Sequence, residues 1–87
     1  MPLYQMQWAV QDVQAPGAWN RGYSGAGVRV AILDSGIDCG NAWLAPNIDF
    51  SAAASLVPGE GVCVRPGFYF NHGTHVAGIV AALPSSF

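Results

Sequence analysis

Charge is what this 87-residue sequence has least of: Asp, Glu, Lys and Arg together make up 9% of it, against roughly 25% in an ordinary soluble domain. Only three residues are basic and the formal net charge is -2. There is no positive patch for nucleic acid or for an anionic membrane surface, so neither is an expected partner. No apolar run approaches the length of a transmembrane helix, and the N-terminus lacks the basic-then-apolar order of a signal peptide. Internal repeats and low-complexity tracts are missing too, Ala52-Ala53-Ala54 being too short to count. Cysteine is scarce as well: Cys39 and Cys63 allow one bridge or none, and the sequence alone does not choose between them.

Apolar residues, by contrast, make up 52% of the chain. With 87 residues there is room for one small domain, and short chains bury a smaller fraction of their surface than long ones. So little charge does not suit the outside of such a domain. Much of the apolar surface is therefore expected to lie against segments outside this chain or against a second copy. By itself the chain is expected to be poorly soluble or only partly folded.

Taken in order, Gln7 to Asn20 carries Trp8, Val10, Val13 and Trp19 around a Pro16-Gly17 break, which predicts two short helical turns with aromatic faces. Trp8, Trp19 and Trp43 read as core or interface side chains rather than a ligand cage. Arg21 to Gly27 is a glycine-rich turn. Phosphate-binding loops follow a strand and open a helix, whereas these glycines precede the next apolar run, so a plain connection is expected. That run, Val28 to Leu33, is β-branched and nearly all apolar, the pattern of a strand covered on both faces in a parallel sheet. It stops at Asp34-Ser35-Gly36, at the carboxyl edge where open α/β sheets place their sites. Asn41 to Pro46 reads as one short turn and Asn47 to Phe50 as a short strand. Ser51 to Tyr69, broken by Pro58-Gly59, Gly61 and Pro66-Gly67, reads as a long surface loop with a brief extended piece at Val62-Cys63-Val64. A bridge between Cys39 and Cys63 would close the base of that loop. From Val76 to Leu83 every residue is apolar or glycine, predicting a helix buried all round and ended by Pro84.

Two imidazoles stand at the head of that helix. A right-handed crossover can bring His72, at the helix start, to the same edge as Asp34, at the strand end. An acid beside an imidazole fixes its tautomer and stabilises the imidazolium, as in two thirds of a serine-protease triad. Taken singly, these two residues would be a turn acid and a helix-capping histidine. His75 admits a His-x-x-His metal pair with Asp34 as third ligand. The preferred reading of His75 is a buried histidine bonded to backbone. Asp38 and Asp49 read as turn-forming acids.

Val30-Ala31-Ile32-Leu33-Asp34-Ser35-Gly36-Ile37-Asp38 and His72-Gly73-Thr74-His75-Val76-Ala77-Gly78 resemble the aspartate and histidine motifs of the subtilisin-like serine proteases, and the order Asp then His matches. Gln14 to Trp19 resembles the segment that opens the mature domain in many members. The resemblance implies that residues 1–87 are an N-terminal part of a subtilase catalytic domain, with an Asp motif at 30–38 and a His motif at 72–78. The implied fold is α/β, a partial subtilisin-like parallel sheet with helices on both faces, truncated before the later strands. The implied activity is that of a serine endopeptidase acting on peptide or protein substrates, with Asp34 and His72 catalytic. The nucleophile of the family sits in a Gly-Thr-Ser motif further along and is not in this chain, which is therefore expected to be inactive alone. The alternative is a non-catalytic scaffold or interaction module derived from a subtilase. The chemistry needs no cofactor. Many members hold a structural calcium through an Asp shortly after the first motif, and the matching position here is Trp43. The chain itself does not indicate a location, and the resemblance suggests secretion.

Overall fold

The computed structural model describes residues 3–64 and 71–83, which fall into two compact units, residues 3–30 and residues 31–64 with 71–83. Pro66-Gly67 and Pro84, expected to punctuate the loop and the last helix, lie outside the described residues.

The first unit opens with a 3-10 helix at Leu3–Met6, followed by α1 (Trp8–Asp12) and α2 (Ala15–Asn20). Two short helices were expected, but the break falls elsewhere. It lies at Val13 and Gln14, where Gln14 takes a left-handed φ of 61°, and Pro16 sits in the first turn of α2. The reason is that proline lacks only an N–H that has no helical partner there. α2 closes on Gly22, whose φ is 87°. The Gly22 N–H donates to Trp19 O at 2.9 Å and the Tyr23 N–H to Ala18 O at 3.1 Å, the paired bonds of a Schellman ending. Gly25 and Gly27 also have positive φ, so the glycine-rich stretch is a connecting turn, as expected.

The second unit is built on two segments that are far apart in sequence and meet in space. A turn at residues 34–38 leads to a 3-10 helix at Ala45–Asn47, and α3 spans His72–Ala81. Leu44 and Ala77, 4% and 8% exposed, are the buried apolar residues among those described. The Leu83 N–H donates to Trp43 O at 2.7 Å, and Asn47 Nδ2 donates to Ala81 O at 2.7 Å. The second bond occupies one of the carbonyls that the end of a helix leaves without a partner. Asp38 and Asp49 are turn acids as expected: Asp38 Oδ1 accepts from the Gly40 N–H, and Asp49 Oδ1 from the Ser51 N–H and hydroxyl.

Three expectations are not met among the described residues. No strand forms among the described residues, neither at Val28 to Leu33 nor at Asn47 to Phe50, so the parallel sheet with helices on both faces is not formed here. A parallel strand exists only through bonds to neighbours. Among the described residues no segment pairs with Val28 to Leu33 as a strand, and Val28, Val30 and Leu33 are exposed. The one parallel contact among the described residues is a bridge from Ile37 to Cys63, at the extended piece expected around Val62 to Val64. α3 is not buried all round: Gly73 and Ala77 are, whereas Ile79 is 77% exposed. Trp8, Trp19 and Trp43 are exposed, so of the core-or-interface reading the core half is not met within this chain. The apolar side chains that the composition supplies in excess therefore stand largely in solvent, as 52% apolar residues on so short a chain requires.

Candidate active site

Asp34 and His72, 38 residues apart in sequence, meet in the second unit. His72 Nδ1 lies 2.9 Å from Asp34 Oδ1 and 2.9 Å from Oδ2, so both carboxylate oxygens share one ring nitrogen. The Asp34 side chain is 16% exposed and that of His72 is 67% exposed. The acid is thus the inner partner and the imidazole the outer one.

Two glycines make this approach sterically feasible. A Cβ on Gly73 would fall 2.6 Å from Gly36 O and would also collide with Ser35 O, while a Cβ on Gly36 would fall 2.8 Å from Val62 O. The turn at Ser35 and Gly36 is therefore held between the head of α3 and the segment around Val62, backbone against backbone.

Polar contacts hold the same sandwich in register. On the α3 side, the Gly73 N–H donates to Ser35 Oγ at 3.0 Å and the Asp38 N–H donates to Thr74 Oγ1 at 2.9 Å. On the other side, the Ile37 N–H donates to Val62 O at 3.1 Å and the Val64 N–H to Ile37 O at 2.9 Å. Next to that bridge Cys39 and Cys63 form a disulfide, with Cα atoms 5.4 Å apart, which decides the question the sequence left open. Closing a loop of this span contributes about 3 to 4 kcal/mol on the chain-entropy account.

The Asp34 carboxyl is held below the usual carboxylate range. The largest cause is the backbone N–H of its neighbour Ser35, which donates to Oδ1 at 2.6 Å; the hydrogen bond from His72 is next. Desolvation opposes these, and the charge of His72 and the Ser35 hydroxyl add smaller lowering effects. An ionised carboxylate only accepts, so Nδ1 must carry a proton, and in the neutral ring Nε2 then keeps its lone pair.

Sequence reading singled out Asp34 and His72, and the fold brings them together. It did not find Ser35 or Thr74, whose hydroxyls accept the backbone N–H groups that join turn to helix. The available signal was a hydroxyl residue one position after Asp34 and another two positions after His72. His75 is exposed rather than buried, and no three His, Cys, Asp or Glu side chains gather to hold a metal among the described residues. Trp43 does not fit as a calcium ligand, because an indole donates and offers no oxygen, and its carbonyl already accepts from Leu83. No helix among the described residues is long and apolar enough to cross a membrane.

Comparison with known proteins adds an independent result. The family model described as the subtilase family matches residues 25–86. Subtilisin Savinase of Lederbergia lenta is 47% identical over 79 residues, covering 91% of this chain and 26% of that protein. An alkaline protease of Shouchella clausii is also 47% identical, over 91% of this chain and 19% of its own length. Subtilisin E of Bacillus subtilis strain 168 is 39% identical over the same shares, 91% and 19%. The chain thus spans about a fifth to a quarter of the length of these relatives. No solved structure matches it.

Proposed function

Since the chain belongs to the subtilase family, we propose that residues 1–87 are the N-terminal part of a serine endopeptidase domain in which Asp34 orients and His72 acts as general base. The observation that carries this reading is the Nδ1 contact of His72 with both oxygens of Asp34 at 2.9 Å.

The chemistry follows from which atom faces where. Asp34 accepts the Nδ1 proton, which selects the tautomer whose Nε2 is free to take a proton. The 67% exposure of the His72 side chain leaves that nitrogen accessible to a serine hydroxyl and a peptide substrate. When Nε2 takes the hydroxyl proton, the ring becomes an imidazolium and the adjacent carboxylate stabilises it. The ring then returns the proton to the departing amine of the cleaved peptide. Without a nucleophile the pair has nothing to acylate, so the chain by itself hydrolyses no peptide bond.

The same reading gives Val28 to Leu33 a place. Their apolar side chains, exposed here, are those of a strand whose neighbours in a parallel α/β sheet come from elsewhere in the domain. A disulfide of this kind persists in an oxidising compartment, which supports secretion as the setting, with peptides or proteins as substrates.

The test is a graft. This chain replaces the matching segment of Subtilisin Savinase, and the hybrid is assayed on a peptide substrate with active-site titration. Turnover that disappears with His72→Ala is the expected result. A folded, titratable hybrid that turns over equally well with His72→Ala would refute the assignment.

A further inference from the structure

The direct chain path from Asp34 to His72 is 38 residues, but 24 of these lie between the two cysteines, so the covalent path through the disulfide crosses only the remaining 14. The disulfide also adjoins the Ile37 to Cys63 bridge, which joins the turn after Asp34 to the segment around Val62. Of the segment it bypasses, Trp43 and Asn47 bond to Leu83 and Ala81 at the end of α3 and Leu44 is buried, whereas residues 51–61 contribute little, being exposed, Leu56 to 92%.

We propose that Cys39 and Cys63 are positioning residues for the Asp34 and His72 pair, their disulfide being the short covalent route that keeps the acid turn against the head of α3, so that a dithiol reductant uncouples the acid from the base. The inference rests on the acid and base reading for its significance, while its test reads the pair itself. In the reductive step one thiolate of the dithiol attacks one cystine sulfur and displaces the other as a thiolate. The second thiol of the reductant then closes on the mixed disulfide. Two electrons pass to the protein, both cysteines leave as thiols after protonation, and the reductant becomes a cyclic disulfide.

The magnitude follows from loop closure. Lengthening the path from 14 to 38 residues lowers the local concentration of Asp34 at His72 by about four-fold, from the three-halves power of the length ratio. The groups that bear on Asp34 are His72 and the amide and hydroxyl of Ser35. The Ser35 amide belongs to the adjoining residue and stays whatever the disulfide does, so only the His72 share is at stake.

Three molecules, with His72→Ala in the oxidised chain as the reference, decide the matter, each carrying labelled aspartate so that the carboxyl resonance of Asp34 is titrated. They are the oxidised chain, the same chain reduced with dithiothreitol, and a chain assembled from peptides 1–56 and 57–87 joined only through Cys39 and Cys63. The assembled molecule is expected to keep the low Asp34 titration of the oxidised chain, because its covalent path through the disulfide is intact. Reduction of the unbroken chain is expected to raise the proton affinity of Asp34 toward that of His72→Ala, by about four-fold if the fold otherwise persists. Loss of the low titration in the assembled molecule overturns the proposal, since the loop would then carry the positioning. An unchanged titration after reduction overturns it as well. If His72→Ala leaves Asp34 unaffected in the oxidised chain, what fails is the acid and base pair rather than the role of the disulfide.

Discussion

Gly73→Ala offers the sharpest check on how the site is assembled. The new Cβ would lie 2.6 Å from Gly36 O and still closer to Ser35 O, and real Cβ contacts stop near 3.0 Å, so turn and helix must part by at least about 0.4 Å at that point. Both neighbours are backbone atoms, and no flexible side chain can yield instead. A shift of that size takes the His72 Nδ1 contact from 2.9 Å to about 3.3 Å, beyond the usual N–H···O range. Overpacking costs about 1–3 kcal/mol, and weakening the Gly73 to Ser35 hydrogen bond adds about 0.5–1.5 kcal/mol. Replacing a helical glycine offsets about 0.5–1 kcal/mol of this. The net expectation is a loss of about 0.5–4 kcal/mol. Gly78, in the same helix, has nothing within 4 Å of its Cβ position, so Gly78→Ala should stabilise by about 0.5–1 kcal/mol. Thermal unfolding of the oxidised chain followed by helical circular dichroism should therefore move in opposite directions for the two variants, by about 4–8 °C per kcal/mol. The Asp34 titration should rise for Gly73→Ala alone. If Gly73→Ala matches or exceeds the wild type in melting temperature, the tight stacking of α3 on the turn is refuted.

The lowered Asp34 pKa has a definite sign in stability: its contribution is present above the ordinary carboxylate pKa and lost as pH falls through the folded value. Acid unfolding should be less steep in Asp34→Asn than in the wild type over that range, and equal steepness would contradict the linkage. Ser35→Ala removes the acceptor of the Gly73 N–H and should cost about 0.5–1.5 kcal/mol in a denaturant melt. Thr74→Val should have a similar cost through the Asp38 N–H. In the Savinase hybrid, Asp34→Asn is expected to lower kcat by about 10⁴-fold, the scale this role carries in subtilisin, or roughly 5 to 6 kcal/mol. His75→Gln, at an exposed position, should leave kcat per titrated site within a few-fold of the parent. A loss as large as that of His72→Ala would require a second catalytic histidine.

What the sequence determined by itself was local or chemical. The two short helices, the glycine turn before Val28 and the turn acids Asp38 and Asp49 follow from propensity and side-chain reach over a few residues. The Asp34 and His72 pair could be picked out because an acid and an imidazole each interrupt an otherwise apolar setting. Tertiary structure alone decided the rest. Whether Cys39 joins Cys63 depends on a Cα separation of 5.4 Å that the spacing of the two residues does not encode. The hydroxyls of Ser35 and Thr74 could have faced water, and they became acceptors only because α3 was brought within 3.0 Å of the turn across 36 to 38 residues of chain. The apolar runs at Val28 to Leu33 and Val76 to Leu83 encode a demand for burial. Whether it is met depends on having a neighbour to pack against, which is why Leu33 and Ile79 stand exposed while Ala77, one helical face away, is buried.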